Sequence, residues 1–195
     1  MSRPREFDAD AALHQCMEVF WEKGFHATSY EDLTRSTQVK KQSLYGAFNN
    51  KRQLFLQSLR VYRQQVLEAL ERRVASAKTP VAKLEAICEA AMQPGGEHTR
   101  RGCLMINASL EFGDADEEVA REVRTMLLRV QEIIEQVVRS GQEQGTITEQ
   151  MGSRALAAHL NNALGGAKIM EKSGASREEI ADVLHTAVAL MKKIC

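Results

Sequence analysis

The sequence predicts an all-α fold of about nine helices. Apolar residues recur at the three- and four-residue spacing of a helix face almost throughout, and no segment alternates apolar and polar residues as a half-buried strand does. Proline occurs 3 times in 195 residues and aromatic residues make up 5% of the chain. That composition suits helices better than a β-sandwich or a barrel.

Cap and stop signals divide this pattern into elements. The first helix lies between an N-cap at Asp8 or Asp10 and a C-terminal glycine, Gly24. The capping-box spacing of Thr28 and Glu31 then begins a short second helix. This second helix is predicted at residues 29–36. Further caps, prolines and glycines delimit seven more helices, at residues 40–48, 51–76, 80–92, 103–112, 116–144, 148–173 and 176–194. The segment 93–100 is the least structured stretch of the predicted interior.

Composition and charge exclude several classes of protein. The chain carries 26 basic and 26 acidic residues, a balance that argues against a protein that coats nucleic acid indiscriminately. No apolar run reaches the ~20 residues of a membrane span, and the first residues lack the apolar core of a secretory signal. Cys16, Cys88, Cys103 and Cys195 include no CxxC pair. We therefore expect a cytoplasmic protein with free thiols, no metal site, no cofactor and no membrane partner.

Basic residues are concentrated in one section of the chain. Between residues 24 and 63 there are seven lysines and arginines but only two acidic residues. A basic section on an otherwise slightly acidic body indicates a surface that binds a polyanion. A solvated helical surface is the alternative interpretation.

Within this section, two short helices and a tight turn form a helix-turn-helix pattern. In that motif the second helix enters the major groove, while nearby cations and hydroxyls bind phosphates. The turn is 37–39, and Leu44 and Phe48 face inward. The outer side of the recognition helix presents Lys40, Lys41, Gln42 and Ser43. Lysine and glutamine can read guanine and adenine edges, although we favour phosphate over bases for both lysines.

Three segments of this region resemble the TetR family of transcriptional regulators. Residues 24–33 (GFHATSYEDL) are similar to that family's opening of helix two, 39–48 (VKKQSLYGAF) to its recognition helix, and 49–55 (NNKRQLF) to its start of helix four. The match extends over about residues 8–56 without a gap. The resemblance implies that Tyr45 and Lys51 contact the DNA backbone, with Thr28 or Ser29 adding a phosphate contact.

Two positions depart from the family pattern. Gln38 stands where the family usually has a glycine in the turn, at a backbone position that favours positive φ. A non-glycine residue held there costs on the order of 1 kcal/mol, so we expect the turn to relax. Gln42 stands where the family often has a small residue, and for that reason no operator sequence can be transferred from relatives.

The resemblance implies a DNA-binding domain at residues 1–50 and a ligand-binding and dimerisation domain at 51–195. The last two predicted helices, 148–173 and 176–194, have faces that are rich in apolar and small residues. Two glycines inside one of them cost roughly 1 kcal/mol each, which the close approach of a second helix would explain; a kink or fraying is the alternative. We predict a homodimer whose four-helix interface includes Ala158, Gly165, Gly166, Val183, Leu184, Ala187, Leu190 and Met191.

An effector pocket is predicted among the helices of this second domain. Apolar walls with a few amides suit a small organic molecule, although an ordinary core has the same composition. The candidate lining residues are Cys88, Met92, Cys103, Met105, Asn107, Phe112, Met126, His159 and Asn162.

Cys103 is the most specific candidate in this lining. It follows Arg100 and Arg101 near the start of a predicted helix, where the helix dipole and the two cations favour a reactive thiolate. The run 101–107 (RGCLMIN) resembles a TetR branch in which some members sense electrophiles or oxidants through a cysteine. A small buried apolar residue is the alternative role.

Together these features predict a homodimeric TetR-type repressor that binds a palindromic double-stranded DNA operator and is released by a small-molecule or electrophile effector. The alternative is an all-α thiol-reactive or small-molecule-binding protein with a vestigial helix-turn-helix. No enzyme is predicted, because GxGxxG, P-loop, HExxH and Ser-His-Asp patterns are missing from the sequence. His98 with Cys88 and Cys103 matches no standard metal-ligand spacing.

Overall fold

The computed structural model describes residues 7–92 and 101–193. Within these ranges the chain forms nine helices and is all-α, as predicted. They are α1 (Ala9–Lys23), α2 (Tyr30–Thr37), α3 (Lys41–Phe48), α4 (Lys51–Ser76), α5 (Pro80–Met92), α6 (Leu104–Phe112), α7 (Glu117–Glu143), α8 (Ser153–Lys172) and α9 (Arg177–Ala189). The predicted loop at 93–100, which includes His98 and Arg100, and the terminal Cys195 lie outside the described residues.

The capping box of α2 lies one residue later than the sequence analysis placed it. The Ser29 hydroxyl accepts the Asp32 amide at 3.1 Å, and the Asp32 carboxylate accepts the Ser29 amide at 2.9 Å. Thr28 is buried, and its hydroxyl donates to the Gly24 carbonyl at 2.6 Å. The predicted Thr28–Glu31 capping box was therefore wrong, because the Thr28 hydroxyl bonds to the C-cap of α1 and Ser29 is the N-cap of α2.

The boundaries predicted for the last two helices were also wrong. Residues 146–148 and 191–193 pair in antiparallel fashion around the bridge between Ile147 and Lys192. The Thr148 amide donates to the Met191 carbonyl at 2.8 Å, and the Lys193 amide to the Thr146 carbonyl at 3.2 Å. These bonds hold the two segments extended, so α8 begins after 148 and α9 ends before 194.

The described residues fall into two compact units. The first comprises those of Met1–Gln64 and Leu104–Val123, and the second those of Gln65–Cys103 and Arg124–Cys195. The first unit therefore contains α1–α3, α6 and the beginnings of α4 and α7, around a core that includes Phe20, Leu33 and Phe55. The domain boundary at residue 50 remains a prediction.

The second unit contains α5, α8, α9 and the later parts of α4 and α7. Its fully buried side chains include Leu84, Ile87, Ile134 and Leu160. Across residues 7–92 and 101–193, none of the helices combines the length and the apolar character that crossing a membrane would require.

Candidate nucleic-acid interface

The turn between α2 and α3 keeps the positive φ of the family's glycine. Gln38 has φ 55° and ψ 19°, in the left-handed region. Its side-chain amide donates to the Arg35 carbonyl at 2.7 Å. The buried Thr37 hydroxyl donates to the Leu33 carbonyl at 2.8 Å and accepts the Val39 amide at 3.2 Å. The expected relaxation of the turn was wrong, because these bonds on both sides hold Gln38 in place.

The recognition helix α3 separates its apolar and polar residues as the sequence predicts. Leu44 and Phe48 are buried in the first unit, with exposed fractions of 4% and 5%. Lys40 is the N-cap of the helix and leaves its side chain out of the cap. The exposed residues are Lys40, Lys41, Gln42, Ser43, Gly46 and Ala47. The outer face of α3 thus carries cationic and polar residues at its start and small residues at its end.

Of the two residues expected at the start of α2, only Ser29 is accessible. Its side chain is exposed, whereas the Thr28 side chain is 1% exposed and its hydroxyl is already bonded within the domain. A phosphate contact at the start of α2 stays a prediction, and exposure favours Ser29, whose hydroxyl is itself bonded to Asp32.

Tyr45 and Lys51 lie close to aromatic neighbours. The Tyr45 ring lies 4.9 Å from the Tyr30 ring, and a hydrogen bond with Tyr30 raises the pKa of Tyr45 to about 12. Tyr45 is therefore a neutral phenol at physiological pH. The Lys51 ammonium lies 4.5 Å from the centroid of the Phe25 ring. Within residues 7–92 and 101–193, no carboxylate is at ion-pair distance from Lys40, Lys41 or Lys51.

Arg52, one of the seven basic residues counted in the sequence, faces α7. Its guanidinium binds Asp116 through two bonds of 2.7 and 2.8 Å, and it lies 2.7 Å from a Glu118 oxygen. This guanidinium lowers the pKa of Asp116. The Asp116 Oδ1 atom also accepts the Glu118 and Val119 amides, and these bonds cap the start of α7.

Arg60 and Arg63 are likewise neutralised within the first unit. Both pair with Glu122 on α7, the Arg60 bond being 2.8 Å, and Glu122 is 7% exposed. Three of the seven positive charges are therefore structural. The surplus that remains available to a polyanion lies on Arg35, Lys40, Lys41 and Lys51.

The predicted effector lining is divided between the two units. Met105, Asn107 and Phe112 belong to the first unit, where Phe112 stacks on Phe55 at 5.6 Å and lies 5.1 Å from Phe25. In the second unit the sulfur-containing members are buried and the polar members are exposed; the buried residues are Cys88, Met92, Cys103 and Met126, and the exposed residues are His159 and Asn162.

A separate groove of about 390 Å³ lies in the second unit, between α4, α5 and α7. Its lining combines apolar residues with two opposite charges and two neutral polar groups. The lining residues are Glu71, Val74, Ala75, Pro80, Lys83, Ile133, Gln136, Val137 and Ser140. None of the predicted effector contacts borders this groove.

The predicted dimer residues occupy two different environments within one protomer. Leu184, Ala187 and Met191 are buried, and the Cys88 thiol lies 4.0 Å from the Leu184 carbonyl. Val183 and Leu190, in contrast, are 40% and 66% exposed. Ala158, Gly165 and Gly166 are half-buried on α8. A methyl group added to Gly166 would meet no atom of the protomer within 4 Å, so packing inside the protomer does not require this glycine.

Two family models match the chain. The model for bacterial regulatory proteins of the tetR family matches residues 12–57, and the model for the Tetracyclin repressor-like C-terminal domain matches residues 80–187. The chain belongs to the TetR family. It is accordingly a helix-turn-helix transcriptional regulator of a non-enzymatic family, as the sequence predicted.

Individual relatives are similar over nearly the whole chain. The HTH-type transcriptional repressor ComR of Escherichia coli (strain K12) is 29% identical over 194 residues, which cover 98% of this chain and 92% of ComR. The repressor DhaR of Mycobacterium sp. (strain GP1) is 28% identical over 86% of this chain and 83% of DhaR. A cysteine mutant of the TetR family regulator CifR, complexed with 26-base-pair operator DNA, superimposes with a TM-score of 0.86 at 25% identity, covering 97% of this chain and 100% of CifR.

Proposed function

We propose that this TetR-family regulator is a homodimeric repressor that binds a palindromic operator through α3. The observation that carries the proposal is the outer face of α3, where Lys40, Lys41, Gln42 and Ser43 are exposed above the buried Leu44. The repressors ComR and DhaR, and the operator complex of CifR, support this assignment.

The mechanism requires two copies of α3 in successive major grooves. Half-sites recognised by such dimers lie one DNA turn apart, about 34–36 Å. An effector that binds a conformer with another spacing of the two helices shifts the population away from DNA. Release therefore requires no competition between effector and operator for the same residues.

Selection from a random DNA pool tests the DNA-binding part of the proposal. We expect the wild-type protein to enrich a palindrome. The variant Lys51→Ala should weaken binding to every sequence and make the salt dependence shallower by about one unit of slope, because it removes one phosphate contact. Lys168→Ala is the matched control, since Lys168 pairs with Glu171 in the second unit at 2.8 Å. An unchanged salt slope for Lys51→Ala would remove Lys51 from the interface.

We further propose that the effector acts through Cys103. This residue lies directly before α6, where the chain passes from the second compact unit to the first. It is 8% exposed, whereas Cys16 and Cys88 are 0% exposed. Burial raises the pKa of the Cys16 and Cys88 thiols to about 12. At pH 8 such thiols are ionised in about one molecule in ten thousand, so they react slowly with electrophiles.

Alkylation with N-ethylmaleimide, read by mass spectrometry beside a DNA-release assay, tests this role. We expect Cys103 to label before Cys16, Cys88 and Cys195, and if it labels no faster than these three it is a packing residue. The added bulk should then release DNA, since overpacking commonly costs about 1–3 kcal/mol and a second conformer can relieve it. Cys103→Ser should keep its DNA affinity and lose the response. If DNA stays bound after full labelling of Cys103, the effector acts noncovalently.

A further inference from the structure

Tyr30 is the first residue of α2, and its side chain contacts two further helices. Its hydroxyl accepts the Lys51 amide, the first of α4, at 3.2 Å. Its ring centroid lies 4.9 Å from that of Tyr45 on α3. The Lys41 ammonium lies 4.6 Å from the Tyr30 ring centroid and 5.6 Å from that of Tyr45.

We propose that Tyr30 is a positioning residue for the DNA-backbone contacts, because it holds Lys41, Tyr45 and the start of α4 together as one phosphate-binding surface. This inference rests on the proposed function, in which Tyr45 and Lys51 contact the backbone. It adds a residue that the sequence analysis assigned to no role.

The position of the Lys41 ammonium follows from ring electrostatics. The negative faces of the two phenol rings attract the cation, and no carboxylate of the described residues competes for it. A lysine side chain otherwise has many rotamers, and losing them on binding weakens affinity. Because the two rings hold the ammonium in place, Lys41 is ordered before DNA arrives.

The hydroxyl of Tyr30 has a second consequence, at the start of α4. The first amides of a helix have no intrahelical acceptor, and here Tyr30 supplies one to Lys51. The bond fixes the start of α4 relative to α2, and with it the backbone from which the Lys51 side chain projects. A hydrogen bond with Tyr30 also fixes the position of the Tyr45 hydroxyl.

Two variants separate the ring from the hydroxyl. Tyr30→Phe keeps the ring and removes the bond to Lys51, while Tyr30→Leu also removes the surface that holds Lys41. The DNA probes are a random-sequence duplex and the operator selected by the wild-type protein. We expect Tyr30→Phe to weaken binding to both probes by about three- to tenfold, and Tyr30→Leu to weaken it further. The ratio of the two affinities should not change, because phosphate contacts carry no sequence information.

A double-mutant comparison distinguishes positioning from a merely structural role. In the background Lys41→Gln/Tyr45→Phe, two of the three groups through which Tyr30 acts are already altered and only the bond to the Lys51 amide remains. Tyr30→Leu should therefore cost less in affinity there than it does in the wild-type protein. In Tyr30→Phe, NMR of ¹³Cζ-labelled tyrosine should show the Tyr45 titration midpoint moving below its wild-type value. The chain contains only 3 tyrosines, so each signal can be assigned by single substitution.

Three outcomes would overturn the inference. They are wild-type affinity in Tyr30→Leu, an undiminished loss in the double-variant background, and a changed affinity ratio in Tyr30→Phe. Failure of the proposed function gives a different result, because Tyr45→Phe and Lys51→Ala would then also leave DNA binding unchanged. If those two variants weaken binding and both Tyr30 variants do not, only the role of Tyr30 is wrong.

Discussion

The Glu111 carboxylate on α6 accepts the backbone amide of His26 at 2.6 Å. Its second oxygen accepts the amide of Phe25 at 2.8 Å, so one side chain satisfies two donors of the loop between α1 and α2. The loop leads directly into Ser29, the N-cap of α2. The Glu111 bonds therefore connect α6 to the loop that precedes the helix-turn-helix.

We expect Glu111→Gln to destabilise the protein by about 1–3 kcal/mol, because one of the two amides would face an NH₂ group and lose its acceptor. Urea unfolding measures the change, and operator affinity should fall with it. The exposed Glu143→Gln serves as control and should stay within about 0.5 kcal/mol of wild type. Equal unfolding curves for the two variants would show that the Glu111 bonds contribute nothing.

The pair between Arg52 and Asp116 predicts a pH dependence. The guanidinium lowers the pKa of Asp116, so its stabilising contribution is present above the unfolded value near 3.9 and is lost as the pH falls through the folded value. Asp116→Asn should therefore lower the free energy of unfolding by about 1 kcal/mol at pH 7, a modest figure because Arg52 is partly exposed. Urea unfolding at pH 7 and below pH 3 should show this difference disappearing in acid. A difference that does not vary with pH would contradict the assignment.

Local signals predicted the first part of the fold well. Caps, glycine stops and apolar spacing located α1, α2 and α3 within a few residues, because each signal acts over one or two helical turns. The inward orientation of Leu44 and Phe48 was predicted for the same reason. The count of basic residues overestimated the positive charge available to DNA at Arg52. Its partner Asp116 is 64 residues away in sequence, and composition does not show pairing.

The same limit applies to the second unit. Helical periodicity identified the apolar stripe of α9 but did not show which stripe residues the protomer itself covers. Leu184 is buried there and Leu190 is 66% exposed, because α5 and α8 pack on one side of the stripe. The end of α9 was missed because the pairing of Ile147 with Lys192 joins segments far apart in sequence.

Gln38 offers a test of backbone strain in the turn. A residue with a side chain costs roughly 1–2 kcal/mol at its φ of 55°, and glycine removes that penalty but gains entropy in the unfolded chain. We expect Gln38→Gly to stabilise the protein by about 0.5 kcal/mol in urea unfolding. Gln38→Ala, which keeps the strain and loses the bond to Arg35, should be less stable than wild type. Destabilisation by both substitutions would show that the side-chain bond outweighs the strain.

Gly141 and Gly166 form a matched pair of helical glycines. A methyl group at Gly141 would overlap the buried Ile147 side chain and lie 3.0 Å from Pro80 Cβ, whereas one at Gly166 would meet nothing in the protomer. We expect Gly141→Ala to cost about 1–3 kcal/mol by overpacking, despite the better helix propensity of alanine. Gly166→Ala should stabilise an isolated protomer by about 0.5–1 kcal/mol. Thermal unfolding of both variants in a monomeric Leu190→Glu background measures this contrast.

Leu190→Glu tests the proposed dimer without disturbing the protomer. Leu190 is 66% exposed on α9, so a glutamate there stays solvated in the monomer, but in an interface it would bury a charge at a cost of several kcal/mol. We expect a folded monomer by sedimentation and circular dichroism, with operator affinity lost. Leu184→Glu is the contrasting variant: Leu184 is 0% exposed, so this substitution should unfold the second unit at any protein concentration. Gly166→Ala should weaken the wild-type dimer while stabilising the Leu190→Glu monomer, because in the proposed interface a second copy packs against that position, whereas the protomer leaves it open. A dimer that survives Leu190→Glu would place the interface on another face of the second unit.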